Sequence, residues 1–452
     1  MSGLFSLLGI ARDGLEAHGA ALLVTGQNVT QANVAGYVRK TAVFETRPGT
    51  TGGVHVAGVA RHFDRFTFGR LLGESGQKSE AFARSSALDA VEGVLAPETG
   101  SIAERLAAFE ASMRALGADA SNPSLRSVAL SDAAALATSV STTAAGLARA
   151  SDDTFTKAVG VAQDLEGRLA TIATLNRRIA EATGAGNDAS DLRDERDRTL
   201  RSVAEAVGGT ALEDARGSVT VFAGGVALVE GDASVGFTVA QDPTGAMTFV
   251  ARRPNGTTLD LTTTLQGGTL GGLKRARDVT LSGARKDLDL FAEQFASAVN
   301  AVHTVGFATD GSSGRNLFTA VTGAGAAYAM ALDPALVDRP DRLALSTSAA
   351  SVPGGGDNAF ALANVTLPSG DGPLESLVNL VTIVGISKRD ADSDAAMRTA
   401  TSEQAARVHE ASSGVSLDEE TVNLTKFQRA FEASTRVLRA ADELLQGLLQ
   451  EF

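Results

Sequence analysis

A chain of 452 residues with 44% hydrophobic side chains can form two to four modest domains around a sizeable core and is not disordered wholesale. Its formal charge is −13 with no Lys/Arg cluster to offset it, which excludes the concentrated basic surface that duplex nucleic acid or an anionic membrane requires. The absence of Cys excludes disulfides, thiol catalysis and thiolate metal sites, and 5% aromatic residues with no Trp point to close Ala/Gly packing rather than a large aromatic pocket.

The N-terminus has no basic segment leading into an apolar core and a small-residue cleavage site, and no run of about 18 apolar residues occurs anywhere, so neither a cleavable signal nor a membrane span is expected. Instead Leu4, Leu8, Ala11, Leu15, His18, Leu22, Thr25 and Val29 recur at alternating steps of four and three, the seam of a heptad helix. Gly3, Gly9, Gly14, Gly19 and Gly26 interrupt it. Each interior Gly costs about 1 kcal/mol relative to Ala, so this helix needs a partner. Residues 40–68 alternate like strands through Val54, Val56, Val59, Phe66 and Phe68, punctuated by Gly52-Gly53 and Gly58.

Residues 78–117 read as helix. Asn122-Pro123 looks like an N-cap with Pro at the first helical position, starting a long helix broken near Ser151. Leu165, Leu169, Ile172, Leu175 and Ile179 line one face of its second part. A loop at 184–187 leads to a helix over 190–207. The period then becomes that of strands from 210 to 266, where Pro254-Asn255-Gly256 reads as a tight hairpin turn. Helix returns over 274–304, followed by a loop-rich stretch with short strands over 306–370 and helices over 373–385 and 390–412.

The last helix starts at a capping box, Ser416 with Glu419. From Leu424 through Phe427, Phe431, Ser434, Leu438, Ala441, Leu445 and Leu448 to Phe452 the steps alternate three and four. Val437, Leu444 and Leu449 widen the stripe, as if several helices pack around this one. The pattern alone serves equally a two-helix coiled coil that closes the fold and a seam kept for other subunits. The expected fold is mainly α with β insertions (α+β). Terminal heptad helices pair as a coiled coil, nested around a helical-bundle domain that carries a β subdomain. The corresponding boundaries are 1–36 with 414–452, a strand-rich connector 37–74, a helical middle 75–208 with 270–413, and β residues 209–269.

Candidates for chemistry are weak. His18, His55, His62, His303 and His409 form no zinc spacing; they read as exposed or structural, with His18 a satisfied polar position on the seam. Asp191, Asp194, Glu195 and Asp197 interleave with Arg193, Arg196 and Arg198 and read as a salt-bridged helix surface, not as paired catalytic carboxylates. The run from Gly267 to Lys274 lacks the Gly-Lys-Ser/Thr ending of a phosphate loop and reads as a turn into a helix. No Gly-x-Ser-x-Gly nucleophile elbow stands out. Hence no catalytic, cofactor-binding or metal-ligating residues, and no cofactor, are expected; an unrelated enzyme or soluble binding module stands only as a rival.

The run from Asn28 through Asn33, Gly36 and Tyr37 to Arg39 resembles the N-terminal signature of flagellar rod, hook and hook-associated axial proteins. The run from Gly414 to Glu420, with Asn423, Leu424, Phe427 and Gln428, resembles their C-terminal counterpart. Internal segments narrow the resemblance to the hook-associated protein 1 family: Gly53 to Asp64, Asn122-Pro123 with Arg126, Leu175-Asn176 with Ile179, and Asp191 to Asp197. Gly267 to Leu273, Asn300 to Phe307 and Gly356 to Asn358 continue it over nearly the whole chain. Thr30 and Lys40 depart from the pattern. About 50 residues separate Phe318 from Pro373, too few for the outer β domain of larger members.

The resemblance implies a non-enzymatic structural subunit of the flagellum at the junction of hook and filament, needed for filament assembly; another axial component, hook or distal rod protein, is the alternative. It implies copies of the chain in a ring, with hook protein on one side and the second junction protein or filament on the other. It also implies an export chaperone, passage through the flagellar type III apparatus without a cleavable signal, and an extracellular location. The assembly seam would comprise Leu4, Leu8, Leu15, Leu22, Val29, Leu424, Phe427, Phe431, Leu438, Leu445 and Leu448.

Overall fold

The computed structural model describes residues 2–47 and 52–450, with side chains over 3–47 and 52–447. Helix α1 (Ser2–Gln31) leads into an antiparallel hairpin of β1 (Lys40–Thr46) and β2 (Val54–Arg61). Helix α2 (Arg65–Leu95) then starts on Asp64, whose carboxylate accepts from the N–H groups of Phe66 and Thr67. The expected strand character at Phe66 and Phe68 is therefore corrected to helix: the cap fixes the start ahead of the apolar period. Helix α3 (Ile102–Ala118) begins on Ser101, which accepts from Glu104 N–H at 3.2 Å.

Asn122 caps α4 (Pro123–Gly184), and α5 (Ser190–Val207) follows. Helix α4 runs through Ser151 without a break. Ser151 and Thr154 are buried: Thr154 bonds back to Ala150 O at 2.7 Å, and Ser151 O accepts from Arg277 Nε at 3.2 Å. Polar residues that resemble a breaker are here the contact with a later element. Leu165, Leu169, Ile172, Leu175 and Ile179 are all buried, as their spacing predicts.

Two small antiparallel sheets follow. One has the order β3 (Thr210–Glu213), β4 (Val219–Ala223), β5 (Val226–Glu230), β6 (Ala233–Ser234). The other has the order β7 (Gly236–Gln241), β8 (Met247–Arg252), β9 (Thr258–Asp260), with the predicted turn at 254–256 joining its last two strands. Helix α6 (Gly268–Arg275) begins earlier than its apolar period suggests and passes through a wider turn, Ala276–Leu281, into α7 (Ser282–Val305). The glycine run is a packing device: a Cβ on Gly272 would collide with Glu80 O of α2.

The stretch 306–372 holds short helices α8 (Ala326–Ala329) and α9 (Asp357–Leu362) and isolated bridges, with no outer sheet. Helix α10 (Pro373–Ser413) is a single element where two are expected, since Lys388 and Asp392 in its middle bond to Asp89 and Ser85 of α2. Helix α11 (Leu417–Gln450) ends the description, with Glu419 N–H lying 3.5 Å from Ser416 Oγ.

The apolar core runs from Leu72 to Ala391 and draws on no residue of α1, α11 or the β1–β2 hairpin. Phe109, Phe291, Phe295 and Phe318 pack at its centre with ring separations of 5.6–6.2 Å, each contributing about 1.5–3 kcal/mol by burial. His303 ties the 306–346 loops to α7: Nδ1–H donates to Arg315 O at 2.7 Å and Nε2 accepts from Ala344 N–H at 3.1 Å. A second proton would remove the latter bond.

Burial holds His303 below its ordinary value, so the unfolded chain is protonated first. Its contribution to stability is complete above the unfolded value of about 6.5 and declines as pH falls below it. The urea midpoint should drop between about pH 8 and pH 5.5, and His303→Gln should flatten that dependence. An unchanged slope in the variant would contradict this role.

Candidate functional site

Helices α1 and α11 pack antiparallel, with Gly14 opposite Ser434, Gly19 opposite Phe431 and Asn28 opposite Glu420. A Cβ on Gly14 would lie 3.0 Å from Ser434 Oγ; these interruptions in α1 are also what lets the helices approach. The fully buried hydrophobic residues of the pair, among those described, are only Ala11, Ala17, Ala21, Val24 and Ala441.

The large side chains Leu4, Leu8, Leu15, Leu22, Leu424, Phe427, Phe431, Leu438 and Leu445 are half-buried. Val29 is 38% exposed, and Asn28 takes the buried place beside it. The buried stripe of α1 is wider than the predicted one: Ala11 and Thr25 of the heptad positions are buried, and so are Asp13, Ala17, Ala21, Val24 and Asn28, because the β1–β2 hairpin covers a second face of this helix. The side chains of Leu448 and Leu449, and Phe452, lie outside the described residues. Phe5, Leu7, Ile10 and Leu23 of α1 and Val422, Val437 and Leu444 of α11 are exposed.

His18 corrects another expectation. It is wedged beside Phe44 and Phe427, with ring centres 5.9 and 6.5 Å away, and its buried Nδ1 has no hydrogen-bond partner. Burial lowers its pKa. The neutral ring serves as packing, not as a satisfied polar group.

Where the helix pair meets the rest of the chain, Asn28 is the hub. Its Nδ2 donates to Lys40 O at 2.8 Å and Glu420 Oε2 at 2.9 Å; its Oδ1 accepts from Lys40 N–H at 3.1 Å and Tyr37 Oη at 2.9 Å. A buried amide with all these bonds made joins α1, β1 and α11 in one place. Burial and the carboxylates of Asp194, Asp191 and Glu420 push the Tyr37 phenol up to about 12, so it remains a donor to Asn28. Gly36 turns the chain at φ +76°, where a Cβ would meet Arg198 Cγ at 2.7 Å. Asn33 sits exposed in the same loop.

Antiparallel register places Lys40 opposite Arg61, and both cations face α5. Lys40 Nζ pairs with Asp191 and lies 3.3 Å from Asp194, while Arg61 reaches Asp194 at 2.5 Å and Asp197 at 2.9 Å. Burial disfavours the Arg61 cation, but Asp197 and Asp194 outweigh it and hold its pKa above the ordinary value. Arg39 adds bonds to Glu420 at 2.8 Å and Glu419 at 2.7 Å.

Arg196 turns the other way, buried, onto Asn176 Oδ1, Gly217 O and Glu213. The acidic run of α5 is therefore a salt-bridged surface only in part: Asp191, Glu195 and Arg198 are exposed, whereas Asp194, Arg196 and Asp197 form a buried joint with long-range partners. Lys40, which departs from the family pattern, is one of its working members. Among the described residues no three His, Asp or Glu side chains group as a metal site, and no helix is long and apolar enough to cross a membrane.

The model for the helical domain of the flagellar hook-associated protein FlgK matches residues 88–318. The chain belongs to the FlgK family. A second model, the C-terminal region of flagellar basal body rod FlgEFG proteins, matches residues 409–451, on α10 and α11. Flagellar hook-associated protein 1 of Salmonella typhimurium is 32% identical over 70% of this chain and 59% of its own length. The protein of the same description from Bacillus subtilis is 26% identical over 99% of this chain and 98% of its own.

The flagellar hook junction protein FlgK from Burkholderia pseudomallei shares the fold, with a TM-score of 0.67 at 16% identity over 76% of this chain and 99% of that one. The chain thus spans about three fifths of its Salmonella relative and nearly all of the Bacillus one. The FlgK helical-domain match also decides between the axial alternatives, favouring a hook-associated protein over a hook or rod protein.

Proposed function

We propose that the chain is a non-catalytic structural subunit of the bacterial flagellum that forms the junction between hook and filament and is required for filament assembly. The observation that carries this reading is the helix pair α1–α11, whose large apolar side chains stay half-exposed while the middle of the chain has a complete core. Such a surface is stabilised when further helices cover it. The names of the FlgK relatives agree with the reading.

In this proposal residues 1–36 and 414–452 are the assembly unit, 37–74 connects it, 75–208 with 270–413 is the helical body and 209–269 is its β subdomain. Copies of the chain form a ring, with hook protein on one side and the second junction protein or filament on the other. The chain reaches that place outside the cell unfolded, through the flagellar type III apparatus, escorted by a chaperone. A deletion strain should carry hooks without filaments by electron microscopy, and a tagged copy should restore filaments and localise to the hook tip. Filaments on the deletion strain would overturn the reading.

A further inference from the structure

His18 stands where α1, the β1–β2 hairpin and α11 meet. Its ring packs on Phe44 of β1 and Phe427 of α11, with centres 5.9 and 6.5 Å away, and those two rings lie 5.9 Å from each other. The Nδ1 of His18 is buried and has no hydrogen-bond partner among the described residues. Its neighbours on α1 are small: Ala17 and Ala21 are buried, and Gly19 lies against Phe431. No side chain on that helix is placed to answer a new charge.

The charged groups of the surrounding elements are engaged elsewhere. Asp13 and Glu16 of α1 pair with Arg47 and Arg12. Glu45 and His55 stand opposite each other across the hairpin. Lys426 of α11 holds its ammonium 5.9 Å from the centre of the Phe427 ring. None of these carboxylates forms an ion pair with His18 among the described residues. A proton added to Nδ1 would create a buried donor without an acceptor. Aromatic faces attract a cation, but Phe427 already has one beside it.

We propose that His18 is an acid-sensitive latch: while its ring is neutral, α1, the hairpin and α11 stay closed on one another, and on protonation they part while the core from Leu72 to Ala391 stays folded. The latch acts within one copy of the chain and would operate whether or not the pair is the assembly unit. The fully buried hydrophobic residues of the pair, among those described, are four Ala or Val types on α1 and Ala441 on α11, so one proton weighs heavily there. The core of the body does not draw on them.

Burial lowers the His18 pKa, so the open form takes the proton first. Closure is complete above the unfolded value of about 6.5 and declines below it, by at most about tenfold per pH unit for a single group. Burial also pushes Asp194 and Asp197 up and His409 down on the body side of the joint. Substitution at His18 separates its share from theirs.

Hydrogen exchange of the full chain at about pH 8 and about pH 5.5, corrected for intrinsic exchange, reads the latch. Protection in α1, β1, β2 and α11 should fall by about three- to tenfold more than protection in α4. His18→Phe keeps an aromatic ring and removes the base, so it should lack this extra loss. An equal loss in the variant, an unchanged parent, or terminal helices already unprotected at the higher pH overturns the proposal.

Should His18→Phe open the pair at both pH values, the imidazole itself decides. NMR titration of His18 should give a midpoint below that of the same residue in the urea-unfolded chain. A midpoint equal or higher overturns the proposal.

Discussion

Arg61→Met is expected to destabilise the folded chain by about 3–5 kcal/mol, the cost of breaking a buried ion pair from one side. Arg61 is the nearest cation to Asp197 and shares Asp194 with Lys40. Without it Asp197 is left buried with no ion-pair partner among the described residues, and Asp194 keeps only Lys40 at 3.3 Å. Adding Asp197→Asn should recover part of the loss, because the lone charge is removed along with its partner. Urea denaturation of the single and double variants measures both effects. Equal stability of Arg61→Met and the parent would show that the joint is not held by charge.

Leu438→Asp is expected to leave the middle of the chain folded and to abolish incorporation at the hook tip. Leu438 lies half-buried in the α1–α11 pair, and the core from Leu72 to Ala391 does not include that pair. A carboxylate there forfeits part of the ~1.5–3 kcal/mol that full burial of a Leu supplies and adds a charge on the surface proposed to meet neighbouring helices. Hydrogen exchange should show weakened protection in α1 and α11 alone, with the body unchanged. Motility equal to the parent, or loss of protection throughout the core, would contradict the separation of the two units. Leu445→Asp is expected to behave in the same way.

The long elements and both termini were readable because apolar period and caps agree there: Asn122 at α4, Ser416 at α11, the stripe from Leu165 to Ile179. Three of the misreadings share one physical cause. Ser151 and the charged middle of α10 resemble interruptions only because their partners, Arg277 on one side and Asp89 with Ser85 on the other, are far away in the chain. The acidic run of α5 was assigned to the surface for the same reason, since local i, i+4 partners were at hand while Lys40 and Arg61 were not visible as neighbours.

One signal was present. Asp194 and Asp197 fall on the same helical face as Ser190 and Leu200 rather than on the outer one, and the family motif spans them. The widened stripe of α1 depended on the hairpin lying against it, which heptad counting on a single helix cannot include. Phe66 was read as a strand residue because its period was considered without the Asp64 cap.

The antiparallel union of α1 with α11 has a kinetic corollary. The bond between Asn28 and Glu420 closes a separation of 392 positions, most of the length of the chain. Nearly the entire polypeptide must be synthesised, or threaded through a channel, before the first segment can meet the last. Whichever end emerges first waits without its mate, so premature closure is ruled out by connectivity, and the unit proposed for assembly cannot close until nearly all of the chain is present.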